Sequence, residues 1–560
     1  MAASVQGYEF DSAVVAEVLS VEPAEVEERL EKLERVHAFV GLVEEREFPD
    51  RTLTLRYRFV HVLYQNALYG SLRATRKAQM NSAIARALEG YHGEKSEAVA
   101  HELARLWEAA RDYLRAADYF LLAARHAFEI HACQEAAVLA GRGLELLQSL
   151  PETLERNQRE LALQVAAGAA LRFTKGFGSS DVGRAYQRAR ELCERTGDIS
   201  QLVTILRGLW EFHELRAEYD LALEFGNQLL AFAQERQDTS LLLVAHDVLG
   251  DTFVWLGDFV AARNHLEQGI ALYDAEQHHS HVFLYGYDSG MACLSFLALP
   301  LWYLGYSDQA LKRAEEALGM ARALSQSLGL IQILFFTAWI HQLRGERDMA
   351  REQVEEVIAT SDEQGFPVYS AAGRLLQGVL LAEQGKAEEG VALMRAGSDA
   401  HRTAGTQLGF SVWSGGWLGE ALIRMGSIEE GSKVLSDALD FVVRTGERFH
   451  EGELYRLKGE AVLKLKKDSS EAGNCFLQAI EAAQRQQAKS TELRAVMSLC
   501  RLWQKEGETE RARAMLANSY NWFTEGFDTA DLKDAKALLS ELQEVDRGVG
   551  TSLRHTGQPR

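Results

Sequence analysis

The sequence predicts an all-α protein: a right-handed α-solenoid of stacked helix pairs, preceded by a small segment of helices and one β-hairpin. Three observations predict this fold. The 560 residues contain only 6 prolines, whereas Ala, Leu, Glu, Gln and Arg, which favour helices, run throughout. A short motif recurs about every 40 residues. The chain is also too long for one hydrophobic core, so it forms several domains or a repeat array.

The first 92 residues combine helical and strand patterns. Val26, Leu30 and Leu33 fall on one helical face. Residues 39–43 form an apolar run, and from residue 53 to 59 apolar and polar side chains alternate, as in a half-buried strand. This order of helices and hairpin is typical of a winged-helix domain, so residues 1–92 are predicted to be a partial one. Its acidic helix argues against DNA reading, which requires basic side chains, and favours a packing role.

From residue 93 to about 545 the pattern is helix after helix. A glycine in the turn within a helix pair is followed five positions later by Ala or Gly, at Gly257 and Ala262, Gly305 and Ala310, Gly345 and Ala350, Gly385 and Gly390, Gly426 and Gly431, and Gly507 and Ala512. Two degenerate copies are Ala217 with Ala222 and Lys467 with Ala472. The steps are 40, 48, 40, 40, 41, 41 and 40 residues. Such a period indicates a solenoid.

The residue types follow from helix geometry. Glycine adopts a positive φ without steric cost, so it ends the first helix of a pair as a C-cap. The small residue five positions later allows the two helices to cross closely. We expect roughly ten helix pairs over residues 93–545 and a disordered tail over residues 546–560. The spacing resembles the tetratricopeptide repeat, whose usual period is about 34 residues, so longer helices or links are implied. An irregular helical bundle is the alternative.

The net charge limits the kinds of partner to expect, and the cysteine positions indicate the redox compartment. The formal net charge of -21 repels phosphate backbones, so neither nucleic acid nor an anionic membrane is an expected partner. The cysteines lie far apart in sequence and are predicted to be small buried hydrophobes of a reducing cytoplasm. No metal or cofactor is expected. The cysteines are Cys133, Cys193, Cys293, Cys475 and Cys500.

Several motifs resemble one known family. Residues 3–10 and the run Arg58-Phe59-Val60-His61, with Tyr69 and residues 71–72, resemble the winged-helix segment of bacterial STAND-type ATPases. Residues 453–460, 486–490 and 522–529 resemble the C-terminal part of class III adenylate/guanylate cyclases that are fused to such an ATPase and to tetratricopeptide repeats. The resemblance covers nearly the whole chain.

The resemblance implies a regulatory role. In that family an output domain, a P-loop ATPase, the winged helix and the repeats follow one another, and the repeats sense a partner. This sequence contains no GxxxxGK[ST] motif and no cyclase domain, so ATPase and cyclase activity are not implied. We therefore expect this chain to be the regulatory arm of such a protein without its ATPase domain, encoded by a split gene or a shortened reading frame.

The predicted function is therefore a non-catalytic protein-interaction scaffold or sensor arm. It would bind a protein or peptide in the solenoid groove, and a separately encoded ATPase/cyclase is one candidate partner. The regulatory part of an ATP-dependent transcription activator is an alternative.

Aromatic residues recur in the first helices of the pairs. Most of them are expected to be core, and a minority to line the groove: Trp210, Phe212, Trp255, Trp302, Tyr303, Phe335, Phe336, Trp339, Trp413 and Trp417.

The 48-residue step contains the one cluster that suggests ligand chemistry. An enzyme or a metal site in this linker is a further alternative, and a solvated loop between repeats is the simpler interpretation. No HExxH motif and no nucleophile elbow occurs, and no catalytic residue is predicted. The candidate ligand-facing residues are His278, His279, His281, Tyr285, Tyr287 and Asp288.

Overall fold

The computed structural model describes residues 1–130, 132–278, 281, 287–324, 327–403, 410–465 and 468–553. They form two compact units. The first unit comprises Met1–Thr174 and Arg184–Leu202, and the second comprises Lys175–Gly183 and Val203–Arg560.

The first unit opens with a three-stranded antiparallel sheet among five helices. The strand order is β1–β3–β2, with a bulge between Leu42 and Glu44 where β2 pairs with β3. The predicted hairpin is present, and β1 is an additional strand that the sequence did not indicate. The elements are α1 (Ala2–Gln6), β1 (Glu9–Asp11), α2 (Ser12–Leu19), α3 (Pro23–His37), β2 (Val40–Glu47), β3 (Leu53–Phe59), α4 (Val62–Gly70) and α5 (Ala74–His92).

The sheet segment shares one hydrophobic core with the helices that follow it. Phe10 lies against Tyr57 and Phe59, and this cluster continues through Ile84 to Trp107. A domain boundary at residue 92 stays a prediction, because packing alone does not mark one there. The helices that follow are α6 (Ala100–Ala109), α7 (Tyr113–Glu129), α8 (Cys133–Gln148), α9 (Leu154–Lys175) and α10 (Ser180–Thr196).

The second unit is a solenoid of antiparallel helix pairs, which confirms the predicted fold class. A short helix, α15 (Ala275–His278), interrupts the series. The first helices of the pairs are α11 (Leu202–Glu214), α13 (Thr239–Leu256), α16 (Ser289–Tyr303), α18 (Ser327–Arg344), α20 (Pro367–Glu383), α22 (Phe410–Met425), α24 (Glu451–Leu465), α26 (Lys489–Glu506) and α28 (Ala530–Leu553). The second helices are α12 (Tyr219–Arg236), α14 (Phe259–Leu272), α17 (Ser307–Leu324), α19 (Arg347–Gln364), α21 (Ala387–Thr403), α23 (Ile428–Thr445), α25 (Ser469–Arg485) and α27 (Thr509–Tyr520).

The turns inside the pairs share one backbone conformation. The six motif glycines have φ between +73° and +94°, and Ala217 takes the same left-handed region at +56°. The alanines five positions after these turns are 0% exposed. Lys467 lies outside the described residues. The last helix runs to Leu553, so a disordered tail stays a prediction, and residues 554–560 are not described.

The first helices of successive pairs contact one another from α13 to α28, whereas the second helices pack mainly on the first helices beside them. The first helices therefore form the crowded, concave side of the solenoid, and we call them the inner helices. All but one of the recurring aromatic residues are buried on them, as expected for core, and Phe212 is half-buried.

The second unit also closes on itself. The amides of Arg448 and Phe449 donate to the Trp255 carbonyl at 3.0 and 3.1 Å. The Ser490 hydroxyl donates to the Trp302 carbonyl at 2.6 Å, across 188 positions. Arg344 reaches Asp528 at 3.2 Å, across 184 positions. Three successive inner-helix ends thus dock on parts of the solenoid more than 180 positions further along the chain.

Candidate functional site

Four carboxylic side chains gather on the first two inner helices of the second unit. Glu211 and Glu214 belong to α11, and Asp247 and Asp251 belong to α13. Three of them are buried: Glu214 is 4%, Asp247 1% and Asp251 5% exposed. Glu211 is half-buried. We call these four residues the carboxylate cluster.

Burial and mutual repulsion favour the protonated forms of the carboxyl groups in this cluster. Burial, and after it the neighbouring carboxylates, raises the pKa of Glu214 and of Asp251 well above the ordinary value. Burial also raises the pKa of Asp247 to about 7, against the opposing effect of Arg207. Protonation of Glu214 and of Asp251 is therefore favoured, and Asp247 is close to half ionised at neutral pH.

Hydrogen bonds from buried indoles hold the cluster in place. The Trp255 Nε1–H donates to Asp251 Oδ1 at 2.8 Å, and the Trp210 Nε1–H donates to the Thr252 hydroxyl at 2.8 Å. That hydroxyl has one proton, which it donates to the Val248 carbonyl at 2.8 Å. The same hydroxyl proton also points towards Glu214 Oε1 at 3.4 Å, as the longer branch of a bifurcated hydrogen bond.

Arg207 is the cation beside the cluster in the part of the chain that the structure describes. Its side chain is buried, and its guanidinium lies 4.5 Å from the centre of the Tyr287 ring. It lowers the pKa of both Asp247 and Asp251, but burial outweighs it at each.

The cluster faces a later inner helix. Burial raises the pKa of the half-buried Tyr369 on α20, and the carboxylates of Glu211 and Asp251 add to this shift. Tyr369 therefore lies close to the cluster although it is more than a hundred positions away. Another buried acid, Glu447, accepts a hydrogen bond from the Tyr219 hydroxyl at 3.1 Å, and burial raises its pKa to about 8.

The inner helices near the C-terminus show a different arrangement. There Glu453 pairs with Arg456 at 2.6 Å, and Asp531 pairs with Arg494 at 2.7 Å. Burial opposes ionisation of Glu453, but Arg456 outweighs it and lowers the pKa of Glu453 to about 2. Glu453 and Asp531 are thus each paired with an arginine, although burial still raises the pKa of Asp531.

Comparison with known proteins leaves the family open. No protein-family model and no curated protein matches the chain. Among solved structures, a Rap protein complexed with competence and sporulation factor is similar at 12% identity and a TM-score of 0.48, covering 67% of this chain and 99% of the other. Cut9 of the APC/C Cut9–Hcn1 heterotetramer is similar at 13% identity and a TM-score of 0.46, covering 86% and 95%. These values assign neither a family nor a ligand.

Part of the histidine linker, including His279 and Tyr285, lies outside the described residues. His278 and His281 are 3% and 2% exposed, so the interpretation as a solvated loop is wrong for these two side chains. Their rings are 5.2 Å apart. His278 Nδ1 accepts from the Asp274 amide at 3.0 Å, and His281 Nε2 lies 2.7 Å from the Ser240 hydroxyl.

The other two described linker residues have separate surroundings. Asp288 caps α16 by accepting from the amides of Gly290 and Met291 at 2.9 and 3.0 Å. Tyr287 lies on Arg207, beside Asp247. Of the four described residues among the six proposed from sequence, Tyr287 lies at the carboxylate cluster, and Asp288 is near enough to raise the pKa of Asp247. A ligand-facing role for the linker stays a prediction.

Metal-ligating side chains also meet in the first unit. The ligand atoms of Glu97, His126 and Glu129 lie within 4.8 Å of one another, and all three residues are exposed. Exposed groups of this kind are common without a bound ion, so we assign no site to them.

The sequence interpretation missed the carboxylate cluster. A signal was present, because Asp247 and Asp251 stand four positions apart in an otherwise apolar inner helix. That helix, Thr239–Leu256, is long and apolar enough to cross a membrane by length and composition, and 67% of it is buried within the protein. Two acids on one face of such a helix indicate a polar site.

Proposed function

We propose that this chain is a non-catalytic protein-interaction scaffold or sensor arm, and that the inner helices of its second unit bind a peptide or protein segment. The observation that supports the proposal is the row of inner helices that contact one another, which carry buried aromatic side chains and the carboxylate cluster near Tyr369. A concave surface that combines aromatic faces with a few fixed polar groups suits segment binding.

The aromatic residues support the same proposal. Tyr287 and Tyr369 are half-buried at the cluster, whereas Trp255, Trp339, Trp413 and Phe449 form a buried stack further along. The buried stack supports the inner helices, and the two half-buried tyrosines are available for contact with a bound segment. Tyrosine contributes large contact area at a low entropic cost.

A random dodecapeptide library displayed on phage tests the proposal. We expect panning on the immobilised protein to enrich a family of related peptides, and a synthetic member to bind in calorimetry. Tyr369→Ala on the inner face should weaken binding about tenfold or more. Phe527→Ala, at a side chain 49% exposed away from the inner face, should leave it unchanged.

Either of two results would contradict the proposal. One is a panning experiment that enriches no peptide family above an unrelated immobilised protein. The other is a bound peptide whose affinity is equal in the protein and in Tyr369→Ala, because the segment would then occupy another surface.

We further propose that the scaffold acts in the bacterial cytoplasm on a separately encoded ATPase/cyclase. The motifs at residues 58–61, 453–460 and 522–529 support this partner. Co-expression with an ATPase/cyclase encoded beside this gene, followed by size-exclusion chromatography, tests it. We expect the two proteins to elute together, and separate elution at micromolar concentration would contradict the partner.

A further inference from the structure

We propose that an exposed apolar surface of the first unit binds a partner protein through an amphipathic helix with acidic flanks. The surface is made by five side chains around the start of α4: Phe39, Val60, Val62, Leu63 and Tyr64. We call them the α4 patch. Because the patch lies in the first unit, this inference goes beyond the segment binding proposed for the inner helices of the second unit.

The α4 patch is continuous and open to solvent. Val60 is 54% and Leu63 63% exposed, and the Tyr64 ring packs edge-on against the Phe39 ring with the ring centres 4.9 Å apart. The Val60 amide donates to the Phe39 carbonyl at 2.9 Å, which holds the two chain segments together. All five side chains lie outside the buried core of this unit. Large apolar side chains gathered in solvent mark an interaction surface.

Helix α4 offers a face along which another helix can lie. All nine of its residues remain at least partly exposed. Four of its exposed residues have the spacing of one helical face: Leu63, Asn66, Ala67 and Gly70. A Cβ atom at Gly70 would have nothing within 4 Å. Ala67 and Gly70 therefore let a second helix approach closely, while Leu63 supplies apolar contact.

The charge of this region is opposite to that of the whole protein. Residues 51–88 contain seven Lys and Arg side chains and no Asp or Glu, whereas the chain as a whole carries a net charge of -21. Arg58 and Val60 lie two positions apart on extended backbone, so their side chains point to the same side. Arg73 is exposed and lies three positions after the end of α4. Cationic side chains therefore stand before and after α4.

These two arginines have no acid of their own. In the part of the chain that the structure describes, no carboxylate pairs with Arg58 or with Arg73, whereas the neighbouring Arg56 pairs with Glu9 at 2.8 Å. An acidic side chain of a partner would therefore not compete with an internal ion pair. Acidic flanks on the partner helix complement this surface and help to select it.

The same charges argue against two other occupants. A two-fold contact between copies of this chain brings the same patch of both together, so Arg58 and Arg73 would meet their like. An anionic membrane is a broad surface, and it would also meet α3, which carries five glutamates and is joined to the patch where the Phe39 amide donates to the Leu33 carbonyl at 3.2 Å. A helix is only about 10 Å wide and avoids α3.

A phage library of displayed helices tests the proposal. The helices share a stripe of leucines, and the positions beside the stripe vary among Glu, Lys, Gln and Ser. We expect panning on the immobilised full-length protein to enrich Glu beside the stripe. The double variant Arg58→Glu/Arg73→Glu should enrich Lys there instead. Lys433→Glu, at an exposed cation on α23, is the matched control and should keep the preference for Glu. Melting curves establish that each variant is folded.

A selected helix made as a synthetic peptide gives the affinity in calorimetry. Leu63→Ser should weaken binding about tenfold or more, because the central apolar contact is lost. Val443→Ser, at an 82% exposed side chain of α23, should leave it unchanged. Binding should also weaken as NaCl is raised from about 0.05 M to 0.5 M, because ion pairs at an exposed surface are screened.

Any of four results would overturn the inference. The first is that no helix family is enriched above an unrelated immobilised protein. The second is a preference beside the stripe that Arg58→Glu/Arg73→Glu leaves unchanged. The third is a dimer of wild type that Leu63→Ser abolishes, because a second copy would then cover the patch. The fourth is binding to phosphatidylcholine–phosphatidylserine vesicles that Leu63→Ser abolishes. The inner-helix groove is tested separately by Tyr369→Ala, so either proposal fails without the other.

Discussion

Single turn residues with the same backbone conformation meet different surroundings. Gly345 and Gly385 have φ of +86° and +87°. A Cβ atom at Gly345 would lie 2.7 Å from the Ala530 side chain, whereas at Gly385 nothing lies within 4 Å. Glycine is therefore required at both turns by backbone strain, and at Gly345 by close packing as well.

Alanine substitution at these two turns separates strain from packing. Gly385→Ala should cost about 1 kcal/mol, the strain of a left-handed alanine. Gly345→Ala should cost about 1–3 kcal/mol more than Gly385→Ala, because the backbone around Ala530 must also move. Chemical denaturation measures both free energies of unfolding. Equal losses would show that the contact with Ala530 contributes nothing.

The carboxylate cluster gives individual residues a measurable pH dependence. The folded protein holds a proton on Asp247 up to about pH 7, whereas the unfolded chain releases it near pH 4. The folded state binds more protons between these values, so this group's contribution to the free energy of unfolding falls as pH rises from about 4 to 7.

Asp247→Asn removes that dependence. The variant should unfold at a higher temperature than wild type at pH 8, with a gain on the order of 1–3 kcal/mol, and the difference should shrink towards pH 5. Melting curves at several pH values provide the measurement. Glu224→Gln, at an exposed acid on α12, should follow the wild-type profile, and a lower melting temperature of Asp247→Asn at pH 8 would contradict the pKa assignment.

At the scale of elements, the closeness of two helices is set by a few small residues. In the pair α20 and α21, a Cβ atom at Gly390 would meet the Gly378 carbonyl oxygen and would lie 3.0 Å from the Ala382 amide nitrogen. The corresponding position holds a fully buried alanine in several other pairs, as at Ala350, and a glycine in the next pair, where a Cβ atom at Gly431 would lie 2.9 Å from the Gly419 carbonyl oxygen. The pair α20 and α21 is thus packed backbone against backbone, more closely than the pairs that have alanine at this position.

Gly390→Ala should therefore destabilise the protein although alanine favours helices. We expect a loss of about 2–4 kcal/mol, because backbone atoms cannot yield as a side chain does. Gly319→Ala is the control, at an exposed position of α17 with nothing within 4 Å. It should gain up to about 1 kcal/mol from helix propensity. Thermal denaturation compares the two, and a neutral Gly390→Ala would contradict the close approach.

At the scale of the second unit, closure depends on contacts between distant pairs. Arg344 is 4% exposed and donates to the Ser307 carbonyl at 2.9 Å, to Asp308 at 2.9 Å and to Asp528 at 3.2 Å. It therefore ties the segment before α28 to the turn between α16 and α17. A buried arginine with several acceptors is costly to remove.

Arg344→Gln should loosen the last helix without unfolding the solenoid. Amide hydrogen exchange in α28 is expected to rise about tenfold or more, while α13 and α14 keep their protection. Arg347→Gln removes an exposed ion pair to Glu383 and should have little effect. Hydrogen exchange with mass spectrometry resolves the helices, and unchanged exchange in α28 would show that closure does not depend on Arg344.

The sequence by itself determined the all-α solenoid, the N-terminal hairpin and the period of the helix pairs. These properties are local, because a turn glycine and a small residue five positions later act within one pair. Tertiary structure decided the carboxylate cluster and the closure of the second unit. Asp247 meets Arg207 across 40 positions, and Ser490 meets Trp302 across 188. No short window of sequence contains both partners, and burial, which raises the pKa of the cluster, exists only once the inner helices have packed.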